Sequence, residues 1–170
     1  LINSIPIEKY NINSVRNSIV YVPQSPILFD RTLWDNLIYG LPKNKTIEPQ
    51  EIYDLLEKVG LHNIVKIFKE KMFKSVGKKG SELSGGQRQI VWLLRSLIHN
   101  YDVFILDEPT SALDENSKDN IIELIKYIGK NKTLIVITHD KSLIENMDRL
   151  IVVDKGQVSK DIMLNKTSMY

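Results

Sequence analysis

The sequence predicts an α/β fold with a mostly parallel sheet, because short apolar runs alternate with segments of helical periodicity. Apolar or β-branched runs of this kind, without polar alternation, are typical of strands buried on both faces of a parallel sheet. From Val103 onward the runs alternate with helical segments, which is the pattern of a doubly wound sheet. The candidate strands are Ser18–Val22, Val103–Leu106, Leu134–Ile137 and Leu150–Val153.

The helical segments are recognised by apolar residues that recur on one face. Ile52, Leu55, Leu56 and Val59 follow the i, i+3, i+4, i+7 spacing, and Gly60 is placed to end that helix. The block 39–98 holds helices and no convincing strand, so we expect a helical subdomain there, between core segments 1–38 and 99–170. Two further helices are expected over Gly86–Ile98 and Glu115–Ile128.

Composition excludes several classes of protein. The 170 residues carry 23 Lys and Arg against 21 Asp and Glu, a formal net charge of +2, and no Cys. A nearly balanced charge argues against a nucleic-acid partner, which usually requires a basic stripe. Without Cys there is neither a disulfide framework nor a thiolate metal site. No apolar run approaches the roughly 18 residues of a membrane span.

The first candidate for chemistry is the run that ends in Asp107 and Glu108. An apolar strand that leads directly into two carboxylates places charge at the carboxyl edge of a sheet, where ligands of open α/β sheets bind. A carboxylate there suits Mg²⁺, and a neighbouring one suits a water that attacks a phosphoryl group. Taken alone, the pair is better explained as a solvated strand end, because short motifs recur by chance.

The second candidate is the segment Leu83–Gln89, which opens the helix expected from Gly86. Ser84 is placed as an N-cap, and two glycines follow it. Exposed N–H groups and the positive end of the helix dipole make such a start a natural anion site. An ordinary glycine turn before a helix would show the same residues.

Together the two motifs resemble the ATP-binding-cassette (ABC) ATPases. The segment LSGGQRQ, residues 83–89, is similar to the family signature, and FILDEPTSALD, residues 104–114, to its Walker B strand and D-loop. The segment 138–140 resembles the switch-histidine segment, and 22–24 resembles the Q-loop. The resemblance implies a P-loop NTPase (RecA-like) core with a helical signature subdomain.

The resemblance also implies a catalytic centre for Mg²⁺-dependent ATP hydrolysis. Asp107 would support the metal, Glu108 would polarise the attacking water, and His139 would hold the γ-phosphate. Gln24 would contact metal and water and relay to a membrane domain. Phosphoryl transfer depends on such positioning and charge neutralisation.

A further set of residues would act across a dimer of nucleotide-binding domains. In the family, the signature caps the γ-phosphate of ATP held by the opposite subunit. That role falls here on Ser84, Gly85 and Gly86, with Gln87 beside them. Asp114 would pair across the same dimer, which could be a homodimer or a heterodimer.

The exporter branch is indicated by Pro26–Gly40 and Ser75–Gly80. Resemblance to this branch implies that the partners are ABC transmembrane domains, fused or separate, and that the chain lies on the cytoplasmic face of a membrane. Lys78 stands where family exporters usually have Glu, which puts the local contact with the membrane domain in doubt. Trp92 and Leu94 replace usual small residues, so we expect different packing there.

The phosphate-binding loop of the family, G-x-x-x-x-G-K-[ST], does not occur in the sequence. The family places it before the Q-loop, where 23 residues precede Gln24 and contain no Gly. We therefore expect a fragment that lacks the Walker A region and the N-terminal part of the domain. One face of its sheet should lack a covering helix, and the isolated chain should bind ATP poorly and be inactive.

Three functions are compatible with these residues. The first is the ATPase of an exporter-like transporter, favoured by the presence of Glu108 and His139. The second is a non-hydrolysing signature donor that completes a partner's ATP site. The third is a soluble ABC ATPase of translation or repair, which the exporter-like segment Leu28–Gly40 argues against.

Overall fold

The computed structural model describes residues 1–42 and 44–164, which form two compact units with their boundary between Ile137 and Thr138. The larger unit is a mixed α/β structure, as the sequence predicts. Its helices are α1 (Ile12–Ser18), α2 (Leu33–Ile38), α3 (Pro49–Lys58), α4 (His62–Lys71), α5 (Gly85–His99) and α6 (Glu115–Gly129). Its strands are β1 (Ile19–Val22), β2 (Val103–Asp107) and β3 (Thr133–Ile137).

The three strands form a parallel sheet in the order β1-β2-β3. Ile19 pairs with Val103 and Asp107 with Ile137, so the strands end together at one edge. Phe104 and Leu106 of the central strand are fully buried. They lie on the face where α5 contacts β1 and α6 contacts β3. The hydrophobic core of the unit therefore lies between this face and these two helices.

The opposite face of the sheet is open. Tyr21, Ile135 and Ile137 are each 51% exposed, and they alternate along their strands with covered residues. The prediction that these runs are buried on both faces is therefore wrong. The expectation of a face without a covering helix agrees with the structure. The runs are apolar on both sides, and nothing in their composition separates the covered side from the open one.

The segment from α2 to α5 forms the helical part of the larger unit. The end of α3 follows the sequence prediction: Gly60 has φ +85°, and Leu61 N–H donates to Leu56 O at 2.8 Å. This is a Schellman motif, which satisfies carbonyl groups at the end of a helix. The sequence did not predict α4. The fully or almost fully buried side chains here include Leu33, Leu37, Ile52, Leu56, Phe68 and Met72.

The smaller unit contains α7 (Lys141–Ile144), β4 (Arg149–Asp154) and β5 (Gln157–Met163). The run Leu150–Val153 is a strand, but the prediction of a parallel, buried one is wrong because β4 pairs antiparallel with β5. Lys155 and Gly156 both have positive φ, which is the geometry of a two-residue type I′ hairpin turn. This turn directs the chain straight back along β4.

Candidate functional site

The carboxyl edge of the sheet carries the two predicted carboxylates. Asp107 is the last residue of β2, and Glu108 follows it with φ +45°. The backbone N–H of Glu108 donates to Ile137 O at 2.8 Å, which holds this unusual conformation. A left-handed residue other than glycine costs of order 1 kcal/mol or more, and such residues cluster at functional sites. Glu108 is one of several non-glycine residues with a positive φ, and this hydrogen bond fixes its backbone conformation.

A tyrosine that the sequence analysis missed contacts the Asp107 carboxylate. The Tyr21 hydroxyl donates to Asp107 Oδ2 at 2.7 Å. Since this hydrogen bond holds the phenolic proton, it raises the pKa of Tyr21 above its usual value. The signal was available in part, because Tyr21 lies in one candidate strand and Asp107 directly follows another that a parallel sheet aligns with it.

Gln24 lies beside the loop that follows Glu108. Its side-chain amide, Nε2, donates to Ser111 Oγ at 3.1 Å. The structure thus brings together three of the predicted residues, Gln24, Asp107 and Glu108, at one edge of the sheet. Ser111 was not singled out from the sequence, although it belongs to the D-loop motif.

The start of α5 has the predicted N-cap. Ser84 Oγ accepts a hydrogen bond from Gln87 N–H at 3.2 Å, and Gln87 Oε1 accepts one from Ser84 N–H at 3.2 Å. These reciprocal bonds form a capping box. The Ser84 hydroxyl proton can still be donated to another acceptor. Gly85 and Gly86 are the first helical residues, whose N–H groups have no acceptor within the helix.

Gly86 also has a packing role that the sequence analysis did not anticipate. A Cβ atom at this position would lie 2.6 Å from Ser117 Cβ, and one at Gly85 would lie 3.3 Å from Leu113 Cδ2. Glycine is therefore required at 86 by the close approach of α5 to the first turn of α6. The start of the signature helix and the D-loop form one packed unit.

Asp114 caps the helix that follows the D-loop. Its carboxylate accepts hydrogen bonds from Ser117 Oγ at 2.7 Å and from Ser117 N–H at 3.0 Å. The bond from the Ser117 hydroxyl is the main cause of a lowered pKa of Asp114. This role lies within the chain, so pairing across a dimer would be a second task for the same side chain.

His139 belongs to the smaller unit, two residues beyond the end of β3, and is exposed. The following residue is the N-cap of α7: Asp140 Oδ1 accepts from Ser142 N–H at 2.9 Å, and Asp140 N–H donates to Thr138 Oγ1 at 3.0 Å. These bonds define the backbone on both sides of His139. The structure thus places the predicted switch histidine on a short capped turn.

The Asp107 carboxylate is a type of ligand that Mg²⁺ accepts. Residues 1–42 and 44–164 contain no group of three or more His, Asp or Glu side chains that could hold a metal ion. Mg²⁺ usually keeps several waters and binds through one or two carboxylates and substrate phosphates. A single partly exposed carboxylate at Asp107 fits that pattern.

A buried polar network links the segment after Gln24 to the signature helix. Asn36 is fully buried, and its amide donates to Phe29 O at 3.0 Å and Thr32 O at 2.9 Å while accepting from Phe29 N–H at 2.9 Å. Arg95 Nε donates to Asn36 O at 2.6 Å. Burial lowers the pKa of Arg95 to about 10. This network holds residues 29–36 against α5.

Trp92 adds to the same connection. Its indole Nε1 donates to Ile27 O at 3.2 Å, and its ring lies 5.0 Å from the guanidinium carbon of Arg95. Arg95 also lies 5.8 Å from the centre of the Tyr39 ring. The expectation that packing at Trp92 differs from that usual in the family stays a prediction. Sequence analysis did not identify Asn36 and Arg95, because a buried polar residue has no periodic signal.

Comparison with known proteins identifies the class of protein that this fold and site define. A family model described as "ABC transporter" matches residues 1–111. The chain therefore belongs to the ABC transporter family. This confirms the resemblance carried by the signature, Walker B and Q-loop motifs.

The similar proteins belong to the exporter branch. The chain is 35% identical to multidrug resistance protein 1 of Entamoeba histolytica over 93% of its own length and 12% of that protein. It is 33% identical to an ATP-dependent lipid A-core flippase of Francisella tularensis over 93% of its length and 26% of the flippase. A bacterial Atm1-family ABC exporter with ATP bound superposes with a TM-score of 0.81 and 27% identity, covering 96% of this chain and 28% of the exporter. The chain thus corresponds to a minor part of each of these proteins.

Proposed function

We propose that the chain is part of the ATP-hydrolysing domain of an exporter-like ABC transporter and that hydrolysis requires Mg²⁺. The observation that supports this most is the contact of the Q-loop segment with the Walker B segment at one sheet edge. Tyr21 reaches Asp107 at 2.7 Å, and Gln24 reaches Ser111 at 3.1 Å. Membership of the family supplies the expectation of ATP binding.

Each residue of the predicted catalytic set has a separate task in this proposal. When bound, Mg²⁺ would neutralise charge on the phosphoryl group that is transferred. Asp107 would hold the cation, and Glu108 would orient the attacking water from its fixed left-handed backbone. Gln24 would sense the nucleotide state, and His139 would contact the γ-phosphate.

The signature residues would act on the nucleotide of a second ATPase domain. Ser84 has a hydroxyl proton to donate, and Gly85 and Gly86 present backbone N–H groups at the helix start. Gln87 maintains this start through the capping box. Asp114, beside it, would pair with the second domain, whether a copy of this chain or a different one.

Transmembrane domains, fused or separate, complete the proposed assembly and place this chain on the cytoplasmic face of a membrane. Within the described ranges, 1–42 and 44–164, no helix has the length and apolar character to cross a membrane. Lys78 is exposed, and we propose that its neighbourhood meets the membrane domain with a charge opposite to that usual in the family. The proposed layout keeps 39–98 as the helical subdomain between core segments 1–38 and 99–170.

The 170 residues alone should bind ATP weakly and hydrolyse none, because the sequence contains no G-x-x-x-x-G-K-[ST] loop to hold the phosphates. The same fact keeps the signature-donor alternative relevant. In that alternative, the complete protein would activate a partner's ATP site and have no turnover at its own Glu108. A soluble ABC ATPase would hydrolyse ATP without any membrane domain.

The test is the substitution Glu108→Gln in the protein expressed from its complete reading frame. This change keeps the shape of the side chain and removes its charge. We expect ATP binding to be retained and turnover to fall by at least about 100-fold, as for loss of a residue that orients the nucleophile. The matched control is Glu123→Gln, at an exposed glutamate of α6 that pairs with Lys126.

Four results separate the candidate functions. A large loss for Glu108→Gln alone supports the proposed ATPase. Unchanged turnover in both variants would remove Glu108 from its assigned role. Turnover that needs a partner domain and is unaffected by Glu108→Gln would favour the signature donor. Full activity in the absence of any membrane domain would favour the soluble ATPase.

A further inference from the structure

We propose that Tyr21 is a positioning residue, which orients the Asp107 carboxylate for the divalent cation of the ATPase reaction. The inference rests on the proposed function, since it assigns the cation to Asp107. The Tyr21 hydroxyl lies 2.7 Å from Asp107 Oδ2, a distance typical of a hydrogen bond to a charged carboxylate. Such a bond restricts rotation of the carboxylate about its last side-chain torsion.

Strand register explains why these two side chains meet. Tyr21 pairs with Ile105 on the neighbouring parallel strand, and Asp107 lies two residues further along on the same face. A diagonal neighbour in a sheet is within reach of an aromatic side chain, although not of a short one. The contact therefore follows from the sheet itself and needs no loop rearrangement.

The hydroxyl occupies one carboxylate oxygen and leaves the remaining lone pairs of Asp107 to the cation or its waters. Hydrogen bonds to metal-ligating groups of this kind fix their orientation, and their removal typically weakens metal binding by about 10- to 100-fold. A role in stability alone is the competing explanation, since the same bond joins β1 to β2. If Tyr21 positions Asp107, removing its hydroxyl should weaken cation binding. If Tyr21 only stabilises the sheet, cation binding should stay the same.

The position of Tyr21 also connects the cation site to the Q-loop. The chain continues from Tyr21 through the end of β1 at Val22 to Gln24, whose amide contacts Ser111 on the far side of Glu108. One short segment therefore touches the Walker B loop both before and after Glu108. A change in the position of this segment would alter the orientation of Asp107 and the surroundings of Glu108 together.

The experiment compares Tyr21→Phe with Tyr10→Phe in the protein expressed from its complete reading frame. Each change removes one hydroxyl that donates a hydrogen bond, but Tyr10 donates to Ile2 O at 2.9 Å rather than to a site residue. The readouts are Mn²⁺ binding in the presence of ATP, followed by the electron paramagnetic resonance of free Mn²⁺, and the Mg²⁺ dependence of hydrolysis. We expect Tyr21→Phe to weaken Mn²⁺ binding about 10-fold and Tyr10→Phe to leave it unchanged.

A second comparison, in a protein that already carries Asp107→Asn, tests whether Tyr21 acts through Asp107. If Tyr21 acts through Asp107, Tyr21→Phe should have little further effect on Mn²⁺ binding in an Asp107→Asn protein. Unchanged Mn²⁺ binding in Tyr21→Phe, or an equal loss in Tyr10→Phe, would overturn the role of Tyr21. Wild-type protein that binds no Mn²⁺ with ATP, or Asp107→Asn with unaltered binding, would overturn the proposed metal site and with it this inference.

Discussion

Two regions of the larger unit differ in the polarity and the burial of their side chains. Where residues 27–36 meet α5, polar groups are buried and bonded to each other, and Asn36 is fully buried. On the open face of the sheet, Ile135 and Ile137 are apolar and remain 51% exposed. In the first region Asn36 and Arg95 form hydrogen bonds within the chain, whereas the second region has apolar side chains that stay exposed.

The comparison teaches that polarity along the chain does not predict burial at these positions. A buried amide or guanidinium is stable only when its donors and acceptors are paired, so such a region is sensitive to any single loss. Replacing a half-exposed isoleucine should change the free energy of unfolding little, because the partial burial of that side chain contributes little to stability. The following three changes test this contrast.

The largest effect should come from Asn36→Ala. The change removes the bonds to Phe29 and Thr32 and takes one acceptor from Arg95. We expect the free energy of unfolding to fall by about 3 kcal/mol, because buried donors lose their partners. Urea unfolding of the chain measures this. Asn63→Ala, at an exposed position of α4, is the control and should change the free energy by less than about 0.5 kcal/mol.

An intermediate effect should follow Gly86→Ala, which tests the tight packing at the other end of α5. The added Cβ would lie 2.6 Å from Ser117 Cβ, so one of the helices must shift. We expect a loss of about 1–2 kcal/mol in the free energy of unfolding, as for overpacking elsewhere. Combining the change with Ser117→Gly should recover part of the loss. No recovery would show that the strain does not arise from this contact.

The smallest effect should come from Ile135→Thr on the open face. The free energy of unfolding should change by less than about 0.5 kcal/mol, since the side chain is half exposed. Ile121→Thr, at a fully buried position of α6, is the comparison and should cost about 2 kcal/mol or more. Equal losses at both positions would mean that the open face is covered in solution.

The sequence predicted those parts of the fold that have a local cause. The three parallel strands, the end of α3 at Gly60 and the N-cap at Ser84 follow from apolar runs, a glycine and a capping residue. Sequence analysis did not predict α4, and it assigned Leu150–Val153 to a parallel sheet although this strand pairs antiparallel. Strand partners depend on distant segments, which neither propensity nor periodicity describes.

For the candidate site, motif order identified the residues but not their neighbours. Gln24, Asp107 and Glu108 were recognised from the sequence, and the structure places them at one edge. Tyr21 and Ser111 became visible only in the structure, because their importance arises from strand register and loop geometry. The dimer role of Asp114 stays a prediction, since the structure explains only its capping of α6.

The outer strands of the sheet also affect how the protein behaves in concentrated solution. Within the described residues, β1 and β3 each lie at an edge of the three-stranded sheet. Thr133–Ile137 consists of one threonine and four aliphatic residues without charge, a composition typical of segments that form intermolecular β-structure. Copies of the isolated chain should therefore associate through β3 and aggregate as the concentration rises.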